Sequence, residues 1–202
     1  MYKQTIIISG ATGSIAGGAA FALAKRGARV VLLGRSSKTL GARCQKIKET
    51  LRENNIDHND SDVEHIVIDF SDMTSVKTAA DKALKKYKEI SGLILCVGYL
   101  IQNGPTILPD GHEKMFSTSV LGPFYFTHLL LERLKKSNAL IMQVIAPFSE
   151  DINWDDIESI KNHKTVKAYN RAKMYERILK EASSQKSRLL HSYTKSLLNA
   201  RL

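Results

Sequence analysis

Tyr169 and Lys173 are the residues whose types and spacing most directly offer proton chemistry. They stand four apart in Tyr169-Asn170-Arg171-Ala172-Lys173, and on a helix that spacing puts two side chains on one face. A free phenol titrates near pH ~10. An ammonium beside it favours the phenolate and brings the hydroxyl closer to use as an acid or base. A second group lies near the other end of the chain, in Ser9-Gly10-Ala11-Thr12-Gly13-Ser14-Ile15-Ala16. Its glycines permit a tight turn and close approach of backbone to a phosphate, and a following helix would offer unpaired N–H groups and a favourable dipole.

A third position bears on which nucleotide would fit. The apolar run after that helix ends Leu32-Leu33-Gly34-Arg35-Ser36, with no Asp or Glu at its tip to take a ribose 2′-hydroxyl. Arg35 stands there instead, and a planar guanidinium suits a 2′-phosphate, so the chemistry favours NADP(H) over NAD(H), with NAD still admissible.

These groups need a frame, and the hydrophobic pattern describes one. Short apolar runs at 5–8 and 30–33 flank the glycine-rich turn and an alanine-rich helix over 17–26 that ends at Gly27. The spacing then predicts a helix over 38–54, an acidic loop over 57–62, a strand over 64–68, a helix over 75–88 and a strand over 92–97. Beyond a loop carrying Gly104, Pro105, Pro109 and Gly111 come a long helix over 113–136 and a strand over 139–145. A polar stretch with Trp154, a helix over 165–183 and a last strand over 188–193 complete the pattern. Alternating strands and helices, with the strands as continuous apolar runs, indicate an α/β fold: a Rossmann-type doubly wound parallel sheet, short at its C-terminal edge. With 202 residues, 43% of them hydrophobic, residues 1–202 read as a single NAD(P)-binding domain.

With the order of these segments in view, the chain resembles the short-chain dehydrogenase/reductase family over nearly all its length. Ser9 to Ala16 is similar to that family's glycine-rich loop, and Asp69-Phe70 to its adenine-contacting pair. Asp110-Gly111-His112-Glu113, Leu121-Gly122-Pro123-Phe124 and Asn153-Trp154-Asp155-Asp156 look like the retinol-dehydrogenase and WW-domain oxidoreductase branch. The resemblance implies that Tyr169 transfers a proton at an alcohol or carbonyl oxygen and that Lys173 also holds the nicotinamide ribose. It implies cofactor contacts from Ser9, Gly10, Thr12, Gly13, Ser14, Ile15, Arg35, Ser36, Asp69, Phe70, Cys96 and Gly98 as well, and no metal. Three positions depart from the family. Ala146 replaces the oxyanion-binding serine, Cys96 an asparagine after the fourth strand, and Ser119 an asparagine of the long helix.

Composition excludes some alternatives and leaves others open. Cys44 and Cys96 are too few for a disulfide framework, so a reducing, cytoplasmic setting is expected. The apolar stretch over 6–24 is interrupted by Ser9, Gly10, Thr12, Gly13, Ser14, Gly17 and Gly18, which argues against a membrane span or signal core. From Lys161 to Leu202 the chain carries 11 Lys and Arg against only Glu176 and Glu181. That run reads as a solvated basic face, without the aromatic residues a single-strand nucleic-acid binder stacks on. Three function classes remain: an oxidoreductase of a small-molecule alcohol or carbonyl, weakened by its substitutions; a catalytically inactive NADP(H)-binding regulatory or interaction protein; and a basic interaction module. A homo-oligomer is compatible with each.

Overall fold

The computed structural model describes residues 3–98, 104–145 and 150–184. Five parallel strands form one sheet in the order β3-β2-β1-β4-β5: β1 (Thr5–Ser9), β2 (Arg29–Gly34), β3 (Val63–Val67), β4 (Gly92–Leu95) and β5 (Leu140–Gln143). β1 pairs on one side with β2, Thr5 opposite Arg29, and on the other with β4, Ile6 opposite Gly92. The chain therefore reverses its direction of winding between β1 and β4, and such a switch point leaves a crevice at the carboxyl ends of the strands.

Alternation along β1 and β2 sends side chains into two separate cores. Ile6, Ile8, Val30 and Leu32 face α1 (Ser14–Lys25) and α2 (Ser37–Glu53). On α1 the buried Ala16, Ala20 and Ala24 fall at four-residue intervals, and their small side chains let the helix lie close to the sheet. α2 buries Leu40, Cys44, Ile47 and Leu51 at helical spacing and begins at Ser36, whose hydroxyl accepts from the Thr39 amide. Ile7, Val31 and Leu33 face the other way, toward α3 (Met73–Lys86) and α5 (Gly122–Lys136). There Phe126, Leu130 and Leu134 are buried, and Phe126 meets Phe70 edge to face at 5.9 Å. Each fully buried side chain of this size contributes roughly 1.5–3 kcal/mol, so the two faces together fix the doubly wound form.

The elements follow the sequence pattern, with differences at several points. The first helix starts at Ser14, three residues earlier than apolar periodicity places it, because the loop residues themselves form its first turn. The helical run expected over 113–136 is broken: α4 (Lys114–Phe116) passes into a π-helical turn (Ser117–Leu121) before α5. The acidic loop ends in a short 3-10 turn, Asp60–Asp62, whose Asp62 is buried and bonded to Lys3 at 2.5 Å. At the outer edge, Leu140, Ile141 and Met142 of β5 are exposed, not covered by the described residues. The strand expected over 188–193 lies outside the described residues. The last described helix, α6 (Thr165–Ser184), packs through Ala172 and Tyr175 on Phe116, Val120 and Leu121.

Candidate active site

The glycine-rich loop closes between β1 and α1 as a turn in which the Gly13 amide donates to the Gly10 carbonyl at 2.9 Å. Gly10 has φ +66°, and a Cβ there would lie 2.5 Å from the Cys96 carbonyl oxygen. Only glycine lets the loop rest against the end of β4 in this way. Gly13 is the N-cap of α1 and makes no side-chain cap. Thr12, Gly13, Ser14 and Ile15 are exposed around that helix start, with Ile15 67% exposed. An exposed helix N-terminus without a side-chain acceptor fits an anionic group such as a pyrophosphate.

Other members of the expected cofactor set have definite local partners. The Ser9 hydroxyl is fully buried and accepts from the Cys96 amide at 3.0 Å, tying β1 to the segment after β4. The Ser36 hydroxyl caps α2, as described above. Asp69 accepts from the Ser71 amide at 2.9 Å and the Ser71 hydroxyl at 2.7 Å. The Phe70 ring belongs to the core against Phe126, so the surface it can offer a ligand is backbone. Arg35 is exposed, directly after Gly34 at the end of β2. Arg43, which sequence reasoning passed over, reaches back from α2 to donate to the Thr12 carbonyl at 3.0 Å. Its guanidinium carbon lies 3.2 Å from where a Gly17 Cβ would stand, so two arginines flank this end of the crevice.

Tyr169 and Lys173 are brought to the opposite end by α6. Lys173 is 4% exposed, and its Nζ lies 5.5 Å from the Tyr169 ring centroid. The same Nζ is 3.5 Å from the position of a Cβ on Gly98. Lys173 therefore lies at the strand ends beside Gly98 and Cys96, with the Tyr169 ring against its ammonium. Burial pushes the Cys96 thiol up, partly offset by the Lys173 charge. Sequence reasoning missed Glu176, which is 1% exposed and bonds Lys173 Nζ through Oε1 at 2.6 Å. Burial pushes its carboxyl up to about 7, against the opposing pull of Lys173 and a smaller one from Gln143 at the end of β5. The signal available in the sequence was its i,i+3 spacing from Lys173.

Two further clusters place α6. Asp156 is buried and accepts from the amides of Ile160 at 2.8 Å, Lys161 at 3.1 Å and Asn162 at 3.3 Å. Burial raises its pKa, but these N–H groups outweigh that and hold it below the usual carboxylate range. Arg171 donates to the Asp151 carbonyl at 2.9 Å and to the Ser159 hydroxyl at 3.2 Å, clamping α6 to this loop. Glu158 of the same loop accepts from the Glu113 amide at 2.6 Å and contacts His112 Nδ1 at 2.8 Å. The segments around His112 and Asp156 are thus joined in space. Ser119 lies in the π-helical turn with a buried hydroxyl that has no hydrogen-bond partner among the described residues. Ala146 lies outside the described residues. No group of three metal-ligating side chains occurs among the described residues, and no described helix is long and apolar enough to cross a membrane.

Comparison with known proteins gives this arrangement a family. A model of short chain dehydrogenases matches residues 4–150. The chain is 30% identical over 174 residues to retinol dehydrogenase 12 of Mus musculus, covering 85% of this chain and 52% of that protein. It is 26% identical over 175 residues to retinol dehydrogenase 13 of Homo sapiens, covering 85% and 50%. The chain thus spans about half the length of these relatives. Among solved structures, a short chain dehydrogenase of Escherichia coli CFT073 complexed with NADPH superposes with a TM-score of 0.65 at 19% identity, over 92% of this chain and 72% of that one. An alcohol dehydrogenase of Thermococcus sibiricus complexed with 5-hydroxy-NADP gives 0.64 at 19%, over 91% and 72%. At such identities the structures speak for the fold, and the family match carries the rest: the chain belongs to the short-chain dehydrogenase family of oxidoreductases.

Proposed function

We propose that the chain binds NADP(H) across the β1/β4 switch point and interconverts a small-molecule alcohol and carbonyl. The observation that supports this reading is Lys173, with the Tyr169 ring 5.5 Å from its Nζ, beside Gly98 at the strand ends where α1 also begins exposed. Thr12 to Ile15, with Arg43 on the Thr12 carbonyl, would hold the pyrophosphate, Arg35 the 2′-phosphate, and Gly98 with Lys173 the nicotinamide side. When bound, the nicotinamide supplies or takes the hydride.

The chain's own residues handle the proton. In the reducing direction the Tyr169 hydroxyl donates a proton to the carbonyl oxygen as that oxygen gains charge; in the oxidising direction its oxygen takes the alcohol proton. The Lys173 Nζ lies 5.5 Å from the Tyr169 ring centroid, close to the charge that develops there in either direction. Ala146 carries no hydroxyl to share the oxyanion, so turnover is slow. A donor of that kind is worth about 10²–10³ in rate. The test is titration with NADPH followed by a screen of aldehydes and ketones for NADPH oxidation. Tyr169→Phe should keep the affinity and lower turnover about 10²–10⁴-fold, the usual range for a positioned acid or base; unchanged turnover would refute the assignment.

A second reading, binding without turnover, is favoured by Cys96 and Ser119, which stand where the family pattern has asparagine. Tight NADPH binding with no oxidation of any substrate in the screen would select it.

A further inference from the structure

The site contains a buried carboxyl, Glu176, that the proton transfer above does not use. We infer that Glu176 is a positioning residue: its buried carboxylate is the counter-charge that keeps the Lys173 ammonium charged and fixed beside Tyr169 at the end of β4. The inference rests on the reading of Lys173 as a member of the site.

Three observations lead to it. The side chains of Lys173 and Glu176 are 4% and 2% exposed, so this i,i+3 pair is removed from water, unlike Lys77 with Asp81 or Lys135 with Glu132 on the surface. A lysine buried without a partner favours the neutral amine, and a neutral amine does nothing to stabilise a phenolate. The geometry is specific as well. Nζ is held at once 2.6 Å from Glu176, 5.5 Å from the Tyr169 ring centroid and 3.5 Å from the Cβ position of Gly98. An ammonium has three donors; one is fixed by Glu176, which aims the rest of the group. The carboxylate, finally, is poorly suited to a purely structural role. Asp156 is ringed by three backbone amides, whereas Glu176 Oε2 is buried with no hydrogen bond of good geometry among the described residues. Gln143 adds only a weaker interaction. A half-satisfied buried carboxylate is costly to the fold.

Lys173 faces Tyr169 from α6 and Cys96 from the segment after β4. The experiment follows the Lys173 Nζ proton by NMR in cofactor-free protein and, in parallel, NADPH affinity from pH 7 to 9, in the unmodified chain, Glu176→Gln, Glu176→Asp and Glu176→Leu. Glu176→Leu should lower the proton affinity of Lys173 at least tenfold and lose about tenfold in NADPH affinity across that pH range. Glu176→Gln should show part of both effects, and Glu176→Asp should restore them. If the leucine variant does not fold, the glutamine and aspartate variants decide. Identical Lys173 titration in all folded variants overturns the inference, and so does tighter NADPH binding once the charge is removed, since Glu176 would then be a competitor for the ammonium. A chain that binds no NADPH at any pH overturns the proposed function alone, and the NMR arm still decides the role of Glu176.

Discussion

Replacing Gly10 by alanine tests whether the nucleotide loop is held by its contact with the end of β4. At φ +66° an alanine adopts a left-handed conformation, which costs an L-residue about 1–2 kcal/mol. Its Cβ would also sit 2.5 Å from the Cys96 carbonyl oxygen and 3.0 Å from the Cys96 carbonyl carbon. Both atoms are backbone, and that stretch is tied to β1 by the Ser9 hydroxyl, so relief requires moving the loop or the strand end. Overpacking of this kind costs about 1–3 kcal/mol, which brings the expected destabilisation to about 2–5 kcal/mol. Urea unfolding measures it, with Gly18→Ala as the control. Gly18 is an exposed α1 residue with open space around its Cβ position, and alanine there should stabilise by roughly 0.5–1 kcal/mol. NADPH affinity should fall in Gly10→Ala because the start of α1 moves with the loop, and stay level in Gly18→Ala. A Gly10→Ala protein as stable as its parent and binding NADPH equally well would refute the argument.

Arg35→Ala should erase most of a preference for NADP(H) over NAD(H), since a charge-assisted hydrogen bond is worth about 1.5–3 kcal/mol; Arg43→Ala should weaken both cofactors through the loop carbonyl it holds, and competitive titration of each variant separates the two effects. Asp62→Asn should lose stability at neutral pH. Burial raises the Asp62 pKa, but the Lys3 ammonium, the Asn59 amide and Arg29 outweigh that and lower it. Its contribution is therefore present above the unfolded value of about 3.9 and disappears as pH falls through the lower folded value, so thermal melts of parent and variant should converge in acid. Glu176 has the opposite sign: its folded carboxyl is raised to about 7, so its contribution is complete below the unfolded value of about 4.3 and is lost as pH rises through neutrality. Glu176→Gln should flatten the fall in melting temperature between pH 5 and pH 8.

How far the sequence discloses the site depends on the sequence distance between partners. β1, the glycine loop and α1 are consecutive, and the apolar runs and glycines suffice to place them. The same holds for Tyr169 and Lys173, one helical turn apart. Arg43 and Thr12 are 31 residues apart, and His112 and Glu158 are 46 apart, so nothing local announces either contact. Glu176 was hidden for another reason. It is one of two acids in a strongly basic stretch, and average charge describes a solvated face well while saying nothing about which single pair is buried. Boundaries were displaced where exposed residues do structural work: the first turn of α1 is built from Ser14 and the exposed Ile15, which carry no helical periodicity with the alanines that follow. Phe70 shows the converse, a motif residue whose ring the core claims.

The π-helical turn at Ser117–Leu121 has a consequence for how this chain tolerates changes in length. A turn of that kind holds one residue more than an α-helical turn while the residues on either side keep their helical facing. A single deletion inside Ser117–Leu121 would therefore restore a plain α-helix with Phe116 still against Tyr175 and Phe126 still against Phe70. The same deletion one turn later, inside α5, would rotate everything on one side of it by about 100° and carry Leu130 and Leu134 off the sheet. Two neighbouring gaps of equal size in this helix thus have opposite outcomes, and the tolerated one removes only the wedge that presents the Ser119 hydroxyl.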